Sequence, residues 1–169
     1  MRLIARVIAT VGFLGHVPVA PGTAGSLVGW LAGLLLVSAA AGTFPDNPQA
    51  LLAWMWVGLA AGFGLGVVAS QRVERDSGEH DPPAVVIDEC VGMSAVVFAC
   101  PFLVEIPWMA VAAFVVFRLL DIVKPPPLKW LSRRPGGWGI MLDDLGASGY
   151  TALILWLVFF GLRRLPWVG

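Results

Sequence analysis

Seven charged residues stand in three groups at the edges of long apolar runs. Asp88 and Glu89 open one run, Arg118, Asp121 and Lys124 close another, and Asp143 and Asp144 precede the last. Placing an Asp, Lys or Arg at a bilayer centre costs about 2.5–3.5 kcal/mol, and less near the surface, so ionisable groups around an apolar bundle are candidates for function. Carboxylates suit a hard divalent cation such as Mg²⁺, and fixed cations suit the oxygens of an anion. Mixed charge of this kind fits a phosphate ester bridged by metal.

Each group also has a plainer reading. Acidic residues favour helix N-termini, where they complement the dipole and the unpaired amides, which accounts equally well for Asp88 and Glu89 and for Asp143 and Asp144 before the final helix. Asp121 differs, because it follows an almost wholly apolar stretch and needs a partner. Arg118, Asp121 and Lys124 are spaced three apart and share one helix side within about 120 degrees. They form either a self-neutralising ladder at a membrane surface or a site in which Asp121 faces a cation while Arg118 and Lys124 face phosphate oxygens. The stretch PGTAGS (21–26) is two-sided as well. Its glycines let backbone approach a ligand, and Thr23 or Ser26 can cap a helix whose amides point at an anion. No Gly-Lys-Ser/Thr element follows, so it is not a Walker loop.

The elements that must position these residues are membrane helices. The chain is 58% apolar and 13% charged, with a mean hydropathy of +0.82, whereas about 25% charge is usual in a soluble domain. Its 169 residues make one domain, 1–169, and 11 basic against 11 acidic residues leave no net charge to attract nucleic acid. Apolar runs lie at about 23–42, 51–70, 84–104, 107–120 and 148–162. A bilayer core of about 30 Å asks for about 20 helical residues. The first three runs meet that length; the fourth meets it only if it continues toward Lys124, and is otherwise part of a short hairpin. Strand alternation is weak, so the expected fold is an all-α integral membrane bundle of four to five spans. The first 20 residues, with Arg2 and Arg6 on an apolar stretch, suit an interfacial or re-entrant helix.

Lys and Arg are absent from the connections at 43–50 and 105–107 and concentrate in the N-terminus, 71–83 and 121–147. That asymmetry puts the basic side in the cytoplasm. It also puts the PGTAGS stretch and all three charged groups on the same face. Five spans would leave Arg163 and Arg164 outside, which counts against an odd number.

Other residue types add less. Cys90 and Cys100 would lie about 15 Å apart on a helix, beyond disulfide reach, and read as packing thiols. His16 and His80 read as interfacial or solvated, and the eight Trp as interfacial anchors. The N-terminus mimics a signal peptide, but Arg6 interrupts its apolar stretch and it is expected to be retained.

Taken together, PVAPGTAGSL (18–27), VVIDECVGM (85–93), FRLLDIVKPPPLKWL (117–131) and GGWGIMLDDLGASGY (136–150) resemble the phosphatidylglycerophosphatase A family in order, spacing and content across nearly the whole chain. The resemblance implies a bacterial inner-membrane enzyme, its active face cytoplasmic. It would remove the terminal phosphate of phosphatidylglycerophosphate to give phosphatidylglycerol, with Mg²⁺ as cofactor. Carried over by position, it makes Asp88, Glu89, Asp121, Asp143 and Asp144 the catalytic and metal-binding carboxylates. Thr23, Ser26, Arg118 and Lys124 become the substrate-binding residues. Cys90 departs from the bulky apolar residue expected there, and the Asp-Pro-Pro stretch at 81–83 leaves a role for His80 in doubt. Two other readings stay open: a small transporter or ion-binding subunit, and a phosphatase for another lipid phosphate. Head-group choice, metal count, water attack against an aspartyl-phosphate, and oligomeric state are left undecided.

Overall fold

The computed structural model describes residues 2–43 and 48–164. Among the described residues the chain is all-helical: α1 Arg2–Ala9, α2 Pro21–Thr43, α3 Pro48–Ser77, α4 Ile87–Ala99, α5 Pro107–Val123, α6 Leu128–Leu131 and α7 Gly137–Arg163, with 3₁₀ turns at Leu14–His16 and Pro101–Val104. Proline opens α2, α3 and α5, where its missing N–H costs nothing and its fixed φ is already helical. Lys124 closes α5 in the left-handed region, at φ 46°, and the prolines that follow cannot continue a helix.

Three stretches are long and apolar enough to cross a membrane: Pro21–Gly42, Ala53–Ser77 and Gly137–Arg163. The run at 84–104, read from sequence as a full-length span, is not one helix. Cys100 leaves the helical region at φ −128° and ψ 65°, and Pro101 starts a separate 3₁₀ turn. The result is a hairpin of α4, with 13 residues, and α5, with 17. At 1.5 Å per residue α4 rises only about 20 Å, short of a bilayer core of about 30 Å. The final helix differs from its sequence reading in the other direction, since α7 begins at Gly137 and not near residue 148. The centre of the 43–50 connection, residues 44–47, lies outside the described residues.

α2, α4 and α7 lead away from one end of the bundle, and α3 and α5 return to it. The end of α7 at Arg163 therefore lies about 28 Å along that helix from Asp144, so α7 ends opposite the site. α2 packs on α4 through a stripe of glycines, at Gly22, Gly25, Gly29 and Gly33. A Cβ on Gly25 would meet the Val86 carbonyl oxygen at 2.7 Å, one on Gly33 would meet Val97 Cβ at 2.9 Å, and one on Gly29 would run into the Cys90 carbonyl. Small residues at such a spacing let two backbones approach, which is how helices associate where lipid removes the hydrophobic drive. α1 lies against α3 through a cluster of Ala9, Ala69, Val85 and Ile140, with Arg2 3.7 Å from Asp76.

The core runs through the α4–α5 hairpin and α7, with Met93, Phe117, Met109 and Leu103 fully buried. Away from the charged residues it ends in an aromatic cluster in which Phe102 stacks on Phe159 at 4.2 Å and meets Trp156 edge-on at 4.9 Å. The indoles there are satisfied: Trp30 Nε1 donates to the Ala110 carbonyl and Trp156 Nε1 to that of Ala99, each at 3.0 Å.

Candidate active site

Each charged group is placed by a local feature of the chain. The Val86 amide donates to the Ala9 carbonyl at 2.9 Å, tying the start of α4 to the end of α1, and Asp88 and Glu89 occupy the first turn that follows. Their first-turn position fits the dipole part of the plainer reading, but neither caps the helix, because Val86 is the N-cap and no side chain caps it. Asp143 and Asp144 lie well inside α7, which sits close to its neighbours because a Cβ on Gly137 would run into the Val67 carbonyl and one on Gly139 into that of Arg134. Arg118 and Asp121 belong to the last turns of α5. The left-handed backbone at Lys124 turns its side chain away from the ladder and toward α7, where its ammonium pairs with Asp143 Oδ2.

The four sequence blocks meet at one cleft of about 350 Å³. It is lined by Pro21, Gly22, Asp81, Asp88, Glu89, Arg118, Asp121, Lys124 and Asp144, among others. Carboxylate oxygens of Asp88, Glu89 and Asp144 all lie within 4.8 Å of one another. Asp88 is 7% exposed and Asp144 2%, and Asp88 Oδ1, Glu89 Oε2 and Asp144 Oδ2 are buried with no hydrogen-bond partner. Buried carboxylates that face one another unpartnered are expensive, and a cation between them is the direct remedy. The cluster therefore fits a hard divalent ion held by oxygen ligands.

Cations flank the cluster. Arg118 Nη1 donates to Asp121 Oδ2 at 2.6 Å and to Ser26 Oγ at 3.2 Å, and stands 3.7 Å from Glu89 Oε1. Its Nε is buried and has no partner. The i,i+3 ladder expected from spacing is thus made between Arg118 and Asp121, while Lys124 leaves it for Asp143.

Not every residue singled out from sequence lines the cleft. Thr23 and Ser26 lie inside α2, which starts at Pro21, so neither caps it. Ser26 is fully buried, and its hydroxyl donates to the Gly22 carbonyl at 2.9 Å while accepting from Arg118. Thr23 is half-buried and outside the cleft lining. Asp143, 3% exposed, faces Lys124. Sequence reasoning missed Asp81, which lines the cleft from the 78–86 loop with φ 52°; the only signal was the strained turn implied by Asp-Pro-Pro. Its carboxyl is held above the ordinary carboxylate range by the protein wall around it, against the opposing pull of Lys124, although the residue keeps contact with solvent. A larger hollow of about 520 Å³ between α2, α3 and α4 is lined by apolar residues such as Leu36, Met55 and Phe98 and carries no carboxylate.

Clustered carboxylates beside oriented cations, at one end of a bundle with three helices long and apolar enough to cross a membrane, are the groups a small membrane phosphatase needs. The chain belongs to the phosphatidylglycerophosphatase A family, whose model matches residues 7–159. It is 37% identical to phosphatidylglycerophosphatase A of Escherichia coli, over 88% of this chain and 80% of that one. It is 34% identical to the protein of that name from Haemophilus influenzae, over 88% and 85%. A Bacteroides thetaiotaomicron protein with the provisional name phosphatidylinositol-3-phosphatase is 35% identical, over 83% and 84%. No solved structure matches the chain.

Proposed function

We propose that the protein hydrolyses the terminal phosphate of phosphatidylglycerophosphate, with Mg²⁺ as cofactor, to yield phosphatidylglycerol and inorganic phosphate in bacterial phospholipid biosynthesis. The observation that carries this reading is the set of buried, unpartnered oxygens on Asp88, Glu89 and Asp144 beside Arg118 and Lys124, in a chain of this family. Asp88, Glu89 and Asp144 would hold the ion, with Asp121 and Asp143 adjoining them. Held by these carboxylates, Mg²⁺ would supply Lewis-acid chemistry, drawing charge from phosphate oxygens and making water more acidic.

The remaining work falls to the chain. Asp121 and Ser26 fix the Arg118 guanidinium from two sides, leaving its unpartnered Nε to donate to a phosphate oxygen. Asp143 holds the Lys124 ammonium at the cleft. Cations fixed in advance cost no reorganisation when charge develops on the equatorial oxygens. In the balanced reaction a water oxygen bonds to phosphorus, the bond from phosphorus to the glycerol oxygen breaks, and that oxygen leaves with a proton.

The same basic connections that surround the cleft give its orientation. The site faces the cytoplasm at the inner membrane, because the Lys- and Arg-rich segments share its end of the bundle. Single cysteines in the 43–50 connection are expected to react with an impermeant reagent outside cells, and one near Gly137 is not; the opposite pattern overturns the orientation.

A second head group is favoured by one finding, the similarity to the Bacteroides protein, so both lipids belong in one assay. Purified protein in detergent is expected to release phosphate from phosphatidylglycerophosphate faster than from phosphatidylinositol 3-phosphate. EDTA should stop release and added Mg²⁺ restore it. Full activity after exhaustive chelation overturns the metal, faster release from the inositol lipid overturns the substrate, and no release from either favours the transporter reading. A transporter would in any case place its carboxylates near the middle of the bundle, and here they gather at one end.

A further inference from the structure

His80 was read from sequence as a solvated loop residue, yet both of its ring nitrogens are engaged. Nδ1 lies 2.6 Å from Glu74 Oε1 on α3, and Nε2 lies 3.2 Å from the Ser132 carbonyl just past α6. A carboxylate and a carbonyl are both acceptors, so both nitrogens must carry hydrogen and the ring is an imidazolium. An exposed ion pair alone is worth about 0–1 kcal/mol. The difference here lies in what the ring joins. It connects α3 to the chain after α6 through the loop between α3 and α4, and the next residue is Asp81, in the left-handed region at φ 52° and lining the cleft.

A non-glycine residue persists in that region where its surroundings hold it. The far side of the loop is also anchored: Pro82 is buried, the Val85 amide donates to its carbonyl at 2.9 Å, and Val86 is tied to Ala9. Consecutive Cα atoms are about 3.8 Å apart, so there is no slack between the ring and Asp81. We infer that His80 is a positioning residue: its imidazolium clamps the 78–86 loop between α3 and the turn after α6, and so holds Asp81 and Pro82 as one wall of the carboxylate cleft.

The clamp has a built-in pH dependence. Its charged neighbours are Glu74 and Arg75 from α3 and Glu79 and Asp81 from its own loop. The hydrogen bond to Glu74 leads in raising the His80 pKa above its ordinary value. A raised value means the clamp is complete below the ordinary histidine pKa and is lost as pH rises through the raised one.

Two readouts on the full chain in detergent test this, the second of which rests on the proposed substrate. The first is hydrogen exchange at amides 78–86, which needs no substrate. His80→Ala is expected to speed exchange there about tenfold with α2 and α4 unchanged, His80→Gln, which keeps an uncharged amide as donor group, to recover part of the protection, and only the wild type to show an alkaline loss beyond the intrinsic rate. The second is kcat/KM for phosphatidylglycerophosphate micelles. His80→Ala and Asp81→Asn should each lower it about tenfold, and the double variant should be no worse than Asp81→Asn, because one residue acts through the other. Unchanged exchange in His80→Ala, or losses that multiply in the double variant, overturns the inference. Should exchange respond as stated while the wild type releases no phosphate from this lipid, the clamp is supported and the substrate reading is what fails.

Discussion

The two ends of the bundle are built on opposite terms. At the aromatic end the indole N–H groups of Trp30 and Trp156 have carbonyl partners, and Phe102 of the Pro101–Val104 turn packs against Trp156 and Phe159 of α7. At the cleft end Asp88, Glu89, Asp143 and Asp144 each keep a buried oxygen without a partner. One end is finished by the chain alone, and the other keeps the buried oxygens that the proposed cation would meet. Residues that maximise stability and residues that bind are thus separated along the bundle axis, which predicts that substitutions at the two ends have opposite signatures.

The largest effect is expected from Asp144→Asn. It keeps shape and removes a hard ligand, so turnover should fall at least about a hundredfold, or about 2.7 kcal/mol of transition-state stabilisation, with a raised Mg²⁺ requirement. Near-normal kinetics would remove the centre of the proposed site. Asp88→Asn sharpens the comparison by its stability: relieving a buried, unpartnered carboxylate is worth about 1–3 kcal/mol, so the metal-free protein should melt higher, while the upward shift expected of the wild type with Mg²⁺ should be lost. A lower melting temperature in the metal-free variant would show that the carboxylate is satisfied without metal. Lys124→Met should raise KM for the lipid phosphate about tenfold, about 1.4 kcal/mol, with little change in metal demand. Titrating both substrate and Mg²⁺ separates that from a ligand defect. The smallest effect belongs to the aromatic end, where Phe102→Leu should cost about 1 kcal/mol of stability and leave the kcat of the folded fraction unchanged. A loss of turnover there would mean that the two ends are coupled.

The cleft was legible where charge interrupts an apolar run, because such charge is expensive and its sequence position survives folding. Asp88, Glu89, Arg118, Asp121 and Asp144 meet as that reasoning expects. Contacts between elements were not legible. Spacing alone places Lys124 on the Arg118 and Asp121 ladder, yet its backbone turns left-handed and delivers it to α7. Ser26 looked like a cap and is a buried support for Arg118. A short hairpin was open to the run at 107–120, but the break that makes it was hidden, because Cys100–Pro101 sits in an unbroken apolar run and hydropathy does not register a missing N–H. Asp81 was hidden because its importance comes from a clamp between residues 52 positions apart.

The glycine stripe of α2 reaches further than packing. Gly22 lies so close to Glu89 Oε1 that a methyl group there would displace the carboxylate itself, and Gly29 meets the backbone of Cys90, the next residue along. The glycines of α2 therefore act as a template against which the register of α4 is read, while offering no side-chain functional group of their own. In a screen that scores only activity, Gly22→Ala and Gly29→Ala would be indistinguishable from changes to the carboxylates. The least reactive residues of the chain would then share the mutational profile of its chemistry.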